Sequence, residues 1–461
     1  MPDILLSGIN AKWIHPALSL RLLKANLGAY EDQTEILEFA LRQPLAEKIE
    51  PILEAKPRIL GFSVSIWNHK ATLELLCALH DAWRTEGAPK PIVILGGPET
   101  SYLPANSALF QYADWIVRGE GEKVFRDLCE AILENHSVKS SHGKIIEGPS
   151  IDLAEVAAGY RLYTDEDLQR KLIYVEASRG CPFGCEFCLS SRDNLREFPL
   201  EPFLAEMEDL IRRGAKSFKV LDRSFNLDIP RAQKILNFFL ERLTPPQYVH
   251  FEMIPSRFPL ELREVLQRFP PGTLRLEVGI QTFNPKTAAL INRQSNPEEE
   301  LEALRFLGEK TRAIVHADLI AGLPEEDFES FAEGFDRLWG TGPTEIQVGI
   351  LKILPGTPII RHTERFGMRY AKEPPYEVLE TSVLSKAELD RIKNFARFWE
   401  LIINRGTFKD LSNLLALKDQ AVFHRFADLG DRLFQRFQRN WGIDRKALRE
   451  ALEAELQIPV K

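Results

Sequence analysis

The stretch Arg179-Gly180-Cys181-Pro182-Phe183-Gly184-Cys185-Glu186-Phe187-Cys188 contains three of the chain's five cysteines, in the spacing C-x3-C-x2-C. It follows an apolar run, residues 172–177, that is typical of a buried strand. Three thiolates on one short loop can bind three irons of a [4Fe–4S] cluster and leave the fourth iron without a protein ligand. The two glycines inside the stretch suit the sharp turns of such a loop. The stretch therefore predicts a cluster at the C-terminal end of a strand, with Cys181, Cys185 and Cys188 as its ligands.

A structural zinc site is the alternative interpretation of the same cysteines. Structural zinc takes four protein ligands, normally completed by a second Cys or His pair. The remaining cysteines, Cys77 and Cys129, are distant in sequence, and each lies in an amphipathic helical pattern that is typical of a packing residue. The spacing therefore favours the cluster over zinc.

Around and beyond the cysteines, from residue 171 to residue 370, short apolar runs alternate with amphipathic helical patterns. The runs predict six strands, at residues 172–177, 217–221, 249–253, 273–279, 313–319 and 345–351. Successive β/α units of this kind are typical of a parallel barrel, here a partial (β/α)6 TIM-type barrel. The chemistry of such a barrel lies at the C-terminal ends of its strands, which is where the cysteines stand.

Residues 1–145 show the same alternation and predict a doubly wound, Rossmann-like α/β domain. Its predicted strands are residues 3–7, 58–64, 91–95 and 114–117. Residues 146–170 show no clear period and are interpreted as a linker. After residue 370 helical patterns dominate, so residues 371–461 predict a small α-helical C-terminal domain.

The composition disfavours several classes of protein. A formal net charge of −8 argues against a nucleic-acid partner, because binding to phosphates normally needs a basic surface. No apolar stretch approaches about 18 residues, which argues against a membrane span, and no signal peptide is evident. An odd number of cysteines, three of them crowded together, does not fit a disulfide framework. We therefore expect a cytoplasmic protein in a reducing compartment.

The cysteine spacing and its barrel context resemble the radical S-adenosylmethionine (SAM) superfamily. The preceding α/β domain makes the chain similar to the cobalamin-binding subgroup over about residues 1–360, and the tail resembles an uncharacterised C-terminal domain of some members. The resemblance implies that SAM chelates the open iron and is cleaved after an electron arrives from a reducing donor such as flavodoxin or ferredoxin. It also implies that Phe187 offers an apolar surface to the adenine ring.

Polar residues at the ends of the later predicted strands agree with this resemblance. In relatives the corresponding segments lie near SAM, and their order along the chain is more specific than any single residue. The resemblance implies cofactor contacts for Asp222, Glu252, Arg257, Glu277, Gln281 and Asp318.

Small residues at the strand ends of the N-terminal domain leave room for a broad ligand and its nucleotide tail. The pattern resembles cobalamin-binding domains, and the implied cofactor-binding residues are Ser63, Ser65, Gly96, Gly97, Glu99, Gly119 and Glu120. The first loop lacks the Asp-x-His-x-x-Gly motif whose His binds cobalt in many cobalamin proteins, a motif that the radical subgroup commonly lacks too. The lower cobalt ligand therefore stays unassigned, and His15 and His69 are interpreted as ordinary loop histidines.

The resemblance implies a cobalamin-dependent radical methyltransferase that acts on an unactivated carbon of a small molecule or a peptide. An enzyme that uses both cofactors for cyclisation or rearrangement, without methyl transfer, is the alternative. A non-catalytic metal-binding module belongs to a different class and predicts zinc, or no metal, at the three cysteines.

Overall fold

The computed structural model describes residues 1–86, 89–138, 143–191, 193–412 and 421–456. The chain divides into two compact units. The first unit comprises Met1–Arg179 and Arg196–Leu221, and the second comprises Gly180–Leu195 and Asp222–Lys461. Residues 139–142, at the predicted end of the N-terminal domain, lie outside the described ranges, as do residues 413–420 and 457–461 of the predicted C-terminal domain.

The first unit is built on a six-stranded sheet whose recorded strand pairs are all parallel, in the order β2-β1-β3-β4-β5-β6. Its strands are β1 Ile4–Asn10, β2 Thr34–Ala40, β3 Ile59–Ser63, β4 Ile92–Gly96, β5 Trp115–Gly119 and β6 Ile145–Gly148. The connecting helices are α1 Leu18–Ala25, α2 Leu45–Ala55, α3 His69–Glu86, α4 Pro98–Tyr102 and α5 Glu122–Leu133.

Both faces of this sheet are buried. Along β1, Leu5 and Ile9 belong to one hydrophobic core, and Ile4 and Leu6 belong to another on the opposite face. Successive side chains of a strand point to opposite faces, so two separate cores mean that helices cover both sides. This confirms the predicted Rossmann-like α/β region.

The rest of the first unit includes a pair of parallel strands, β7 and β10. The elements in this part of the chain are α6 Asp165–Arg170, β7 Ile173–Val175, β8 Ser178–Cys181, β9 Asp193–Glu197, α7 Leu200–Arg212 and β10 Ser217–Val220. The predicted linker is therefore partly regular, because it contains the end of β6 and all of α6. The buried Tyr160 and Tyr163 also lie in this segment, which is therefore packed.

The second unit contains four parallel strands in the order β14-β13-β12-β11. These strands and the helices that alternate with them are α8 Ile229–Arg242, β11 Tyr248–Met253, α9 Leu260–Gln267, β12 Leu274–Gln281, α10 Pro285–Leu290, α11 Pro297–Lys310, β13 Ile314–Ala321, α12 Phe328–Trp339 and β14 Glu345–Ile350. Buried and half-buried residues alternate along all of β12. Its apolar side chains thus fill one face, and Arg275, Glu277 and Gln281 occupy the other.

The C-terminal part of the second unit packs on α12 through aromatic rings. Its elements are β15 Arg369–Tyr370, β16 Val378–Glu380, α13 Lys386–Trp399, α14 Lys409–Ser412, α15 Val422–Phe437 and α16 Arg445–Glu455. The Phe335 ring of α12 lies 4.8 Å from Phe395 and 4.9 Å from Trp399 between centroids, and Phe395 lies 4.4 Å from Phe423. Among the residues described, no helix is long and apolar enough to cross a membrane.

Candidate functional site

The cysteine loop, which we define as residues 181–188, is fixed by hydrogen bonds to the end of α10. The Asn292 side chain donates to the Gly184 carbonyl oxygen at 3.0 Å, and the Glu186 N–H donates to the Ile291 carbonyl oxygen at 2.9 Å. Gly180 has a φ of 91°, and a Cβ there would lie 2.3 Å from the Asn194 carbonyl oxygen. Because that space is closed to any side chain, glycine is required where the loop begins.

Cys181, Cys185 and Cys188 are free thiols, each half-buried. Burial raises the pKa of Cys181 and of Cys185 above the ordinary value of a thiol, and the Arg293 guanidinium beside Cys185 opposes the rise there. Binding of iron would therefore release protons from these thiols, since thiolates are the ligands.

No three His, Cys, Asp or Glu side chains within the described ranges are arranged to hold a single metal ion. The donor chemistry of the three cysteines and their position on one loop suit the three irons of a cluster.

Glu186, inside the cysteine loop, is a buried residue that sequence reasoning missed. Its carboxylate is fully buried and accepts a hydrogen bond from the exposed Arg361 guanidinium at 2.8 Å. Its backbone carbonyl accepts from the Ile359 N–H at 2.9 Å. A buried carboxylate is costly unless it is paired, so this pair holds the middle of the loop against residues 359–361.

Most of the predicted SAM contacts of the second unit lie on strands β11 to β13. Glu252 of β11 is the direct neighbour of Glu277 of β12, and Asp318 of β13 neighbours Gly279. All three carboxylates are half-buried and belong to the polar alternation of their strands. The strand register thus brings side chains from distant parts of the sequence to one face.

Two of these carboxylates pair with basic side chains that sequence reasoning did not single out as partners. The Arg223 guanidinium lies 3.3 Å from both oxygens of Glu252. The His250 Nε2 atom lies 3.3 Å from a Glu277 oxygen, and the ring of His250 stacks on His316 with centroids 5.5 Å apart. The alternation of every second residue predicts that these side chains lie on one face of the sheet. Only the register between the strands shows which of them contact each other.

Gln281 and the remaining predicted residues have separate surroundings. Gln281 has a φ of 73°, in the left-handed region that a glutamine rarely adopts, and the register with β13 shifts there. Asp222 is buried and Phe187 is half-buried. Arg257 is exposed and donates to the Leu227 carbonyl oxygen at 3.2 Å, so its guanidinium already has a backbone partner. The positive φ of Gln281 is a strained backbone conformation, and such strain is typical of functional sites.

Glu326, in the turn between β13 and α12, is a second buried carboxylate that sequence reasoning missed. It is 2% exposed, and one of its oxygens accepts a hydrogen bond from the Thr282 hydroxyl. Burial raises the pKa of Glu326 to about 8. The side chain is therefore protonated at neutral pH, at the ends of the same two strands that hold Gln281 and Asp318.

Glu326→Gln should flatten the dependence of stability on pH. Between the unfolded pKa of about 4.3 and the folded value, the folded chain binds a proton that the unfolded chain does not. The free energy of unfolding should therefore fall as pH rises through this window, by at most about 1.4 kcal/mol per pH unit from this group. Urea unfolding at pH 5 and pH 8 measures the fall in both proteins. Equal falls would contradict the prediction.

A cavity of about 110 Å³ lies at the C-terminal ends of the strands of the first unit. The residues predicted from the sequence that line it are Ser63, Gly96, Gly97 and Gly119. Apolar side chains of β1, α1 and α5 complete the wall, among them Leu6, Leu20 and Phe125. The cavity is thus an apolar slot with small residues at its mouth.

Two of these glycines allow the chain to approach itself closely. Gly97 has a φ of 108°, and a Cβ there would lie 2.5 Å from the Val64 carbonyl oxygen. A Cβ at Gly119, where φ is 74°, would lie 2.6 Å from the Gly148 carbonyl oxygen. The glycines are therefore required by the turns that frame the cavity.

The other predicted residues of this unit do not line the cavity. The N–H of the buried Ser65 donates to the Asn68 side-chain oxygen at 2.8 Å, and a Glu99 oxygen lies 2.7 Å from the His69 Nδ1 atom. Both oxygens of Glu120 face Arg196. His15 Nδ1 lies 2.8 Å from the Tyr174 hydroxyl, so both loop histidines are engaged by neighbouring side chains.

Comparison with known proteins matches three parts of the chain to family models. The radical SAM superfamily model matches residues 175–338, and the B12 binding domain model matches residues 5–129. A protein family of unknown function, DUF4080, matches residues 364–452.

Similar whole proteins have low identity to the chain. The cobalamin-dependent radical SAM methyltransferase TokK of Streptomyces tokunonensis is 24% identical over 77% of this chain and 57% of its own length. The anaerobic magnesium-protoporphyrin IX monomethyl ester cyclase of Cereibacter sphaeroides is 22% identical over 74% of this chain and 58% of its own. The structure of the cobalamin-dependent SAM radical enzyme OxsB with aqua-cobalamin and SAM bound has a TM-score of 0.66 and 16% identity, over 99% of this chain and 75% of its own. The chain thus spans less than two thirds of the length of TokK and of the cyclase.

The cofactors of the matched domains are a [4Fe–4S] cluster with SAM for the radical SAM domain and cobalamin for the B12 binding domain. The observed residues fit both. Three free thiols on an anchored loop suit the cluster, and a glycine-framed apolar slot at parallel strand ends suits the tail of cobalamin. The chain thus combines a match to a radical SAM domain with a match to a B12 binding domain in one polypeptide, and this combination supports its similarity to the cobalamin-binding subgroup of the radical SAM superfamily.

Proposed function

We propose that the chain is a cobalamin-dependent radical SAM methyltransferase that methylates an unactivated carbon of a small-molecule or peptide substrate. One observation carries the proposal: the same chain offers a loop of three free thiols in one unit and a glycine-framed cavity at strand ends in the other. The similarity to TokK, a methyltransferase with the same two cofactors in its name, supports methyl transfer as the reaction.

We also propose the finer architecture that the sequence predicts. In it, residues 1–145 form the cobalamin-binding domain, residues 146–170 a linker, residues 171–370 a partial (β/α)6 barrel, and residues 371–461 a helical C-terminal domain. All six predicted barrel strands occur as strands, β7 and β10 to β14, which supports this proposal.

In the proposed site Cys181, Cys185 and Cys188 would hold three irons. When bound, the cofactors would supply reductive SAM cleavage, hydrogen abstraction and the transferable methyl group. The carboxylates of Glu252, Glu277 and Asp318, on one face of β11 to β13, would accept hydrogen bonds from the hydroxyl and ammonium groups of SAM. Phe187, Asp222, Arg257 and Gln281 are proposed as further contacts of SAM.

The cobalamin contacts are proposed in the first unit, and they include residues on the cavity and beside it. They are Ser63, Ser65, Gly96, Gly97, Glu99, Gly119 and Glu120. A reducing protein such as flavodoxin or ferredoxin is proposed as the electron donor, in a reducing, cytoplasmic setting that keeps the three thiols free.

Two products of SAM test the proposal without knowledge of the substrate. The protein is purified without oxygen, supplied with iron, sulfide, hydroxocobalamin and SAM, and reduced. Radical cleavage of SAM gives 5′-deoxyadenosine, and loss of its methyl group gives S-adenosylhomocysteine. A methyltransferase should form both, and omission of hydroxocobalamin should abolish S-adenosylhomocysteine alone.

The other outcomes identify the alternatives. 5′-Deoxyadenosine without S-adenosylhomocysteine would contradict methyl transfer and favour cyclisation or rearrangement, the alternative that the similarity to the magnesium-protoporphyrin cyclase supports. Neither product, with zinc in place of iron at the three cysteines, would identify a non-catalytic metal-binding module.

A further inference from the structure

Residues 119–122, which we name the carboxylate loop, connect β5 to α5 at the edge of the cavity. Gly119 and Gly121 line the cavity, and Glu120 stands between them. Glu122 begins α5. The backbone of this loop therefore forms part of the cavity wall, while its two carboxylates are available to side chains outside the cavity.

Arg196 holds the first carboxylate of the loop. Its guanidinium donates to both oxygens of Glu120, one of them at 3.1 Å, and to the Ile151 carbonyl oxygen at 2.7 Å. The Ile151 N–H donates to Glu120 in return, at 2.8 Å. Burial raises the pKa of Glu120, but the hydrogen bonds from Arg196 and Ile151 outweigh it and hold the pKa below the ordinary value. Glu120 is therefore charged and fixed.

Arg179 holds the second carboxylate. Its guanidinium lies 2.6 Å from a Glu122 oxygen and 2.6 Å from a Glu176 oxygen, and its side chain is 14% exposed. A third carboxylate oxygen, of Glu120, lies 3.6 Å away. Ion pairs buried to this degree are costly to break by removal of one partner, because the other charge is left in a poorly solvated place.

The two arginines flank the cysteine loop in sequence. Arg179, on β8, comes two residues before Cys181, and Arg196, on β9, comes eight residues after Cys188. Both guanidinium groups are thus joined to the cysteine loop by short stretches of backbone and contact the carboxylates of the carboxylate loop.

We propose that Arg179 and Arg196 are positioning residues that couple the two cofactor sites, because they tie the cavity wall at Glu120 and Glu122 to the chain on both sides of the cysteine loop. Ligation of three cysteines on one loop removes conformations from its ends. The carboxylate loop is then held in fewer positions, and less order remains to be imposed when cobalamin fills the cavity. Cluster assembly should therefore tighten cobalamin binding, and cobalamin should stabilise the cluster by the same factor.

Equilibrium dialysis of hydroxocobalamin against the full chain measures the coupling. The dissociation constant is compared between reconstituted protein, with about four irons per chain, and the same protein without iron. We expect cobalamin to bind about fivefold more tightly to the reconstituted protein, the lower end of typical coupling between sites. Arg196→Gln should bring the ratio of the dissociation constants of the iron-free and the reconstituted protein close to one. Arg196→Lys, which keeps the charge, should retain part of this ratio.

Arg213→Gln is the matched control, because Arg213 is similarly half-buried and bonds Tyr163 and Asp209, away from the carboxylate loop. It should leave the ratio unchanged. A merely structural role of Arg196 would weaken binding in both forms equally and so leave the ratio intact. That outcome, or a ratio of one in the unaltered protein, would overturn the proposal.

Glu122→Gln is the second variant if Arg196→Gln does not fold, since Arg179 keeps Glu176 as a partner. Glu122→Gln should also bring the ratio of the two dissociation constants closer to one. The reciprocal readout is the release of iron to a chelator, which hydroxocobalamin should slow in the unaltered protein but not in Glu122→Gln. Equal slowing in both proteins would contradict the coupling.

Discussion

Cys185→Ala should remove the iron from the protein and abolish 5′-deoxyadenosine formation, while hydroxocobalamin still binds. Two thiolates cannot hold a [4Fe–4S] cluster that is built on three, so iron should fall from about four per chain to background. Cobalamin affinity should fall by no more than the roughly fivefold that coupling between the sites allows. Iron analysis, visible absorption and product analysis after anaerobic reconstitution measure all three results.

Cys77→Ala is the control for this variant, since Cys77 is an exposed cysteine on α3 of the other unit. It should keep both iron and cleavage activity. Cys129 is unsuitable as a control because it is fully buried in the first unit. Four irons and normal cleavage in Cys185→Ala would contradict the assignment of the cluster.

Gly96→Leu should weaken cobalamin binding by about thirtyfold and leave the cluster intact. A Cβ at Gly96 would make only ordinary contacts, the nearest at 3.7 Å from the Val117 carbonyl oxygen, so the fold accepts a side chain there. The additional carbons of leucine would compete with the ligand for the cavity that Gly96 lines. Overfilling a packed space costs about 2 kcal/mol, which corresponds to this change in dissociation constant.

Gly96→Ala is the control that shows whether the loss of affinity comes from filling the cavity or from disturbing the backbone. Its single added carbon has room, so its cobalamin affinity should stay close to that of the unaltered protein. Gly97→Ala would not serve, because its Cβ would lie 2.5 Å from a backbone oxygen and would disturb the turn itself. Unchanged affinity in Gly96→Leu would mean that cobalamin does not use this cavity.

The fold could be predicted from the sequence wherever a strand is buried on both faces. The four strands predicted in the N-terminal domain are β1, β3, β4 and β5, which are the interior strands of the sheet. The two that were missed, β2 and β6, are its edges. Edge strands are less buried and carry charges such as Glu35 and Glu147. Their apolar runs are therefore interrupted, and the sequence pattern no longer indicates a strand.

The candidate site could be predicted where its residues are neighbours in sequence, as in the cysteine loop. It could not be predicted where contacts join distant segments. Glu186 with Arg361 and Thr282 with Glu326 are pairs of this kind, and nothing in the local pattern marks either carboxylate as buried. The resemblance to cobalamin-binding domains implied that Glu120 contacts the cofactor, but its arginine partner became visible only in the fold.

The aromatic rings that join α12 to α13 and α15 determine how the C-terminal segment can be studied. Removal of the chain from Lys386 onward would uncover Phe335 and Trp339, whose rings now lie against Trp399. Truncation would therefore take away part of the hydrophobic core of the second unit and yield a chain prone to aggregate. The contribution of this segment has to be measured by point substitution of its exposed side chains, because deletion would report only on folding.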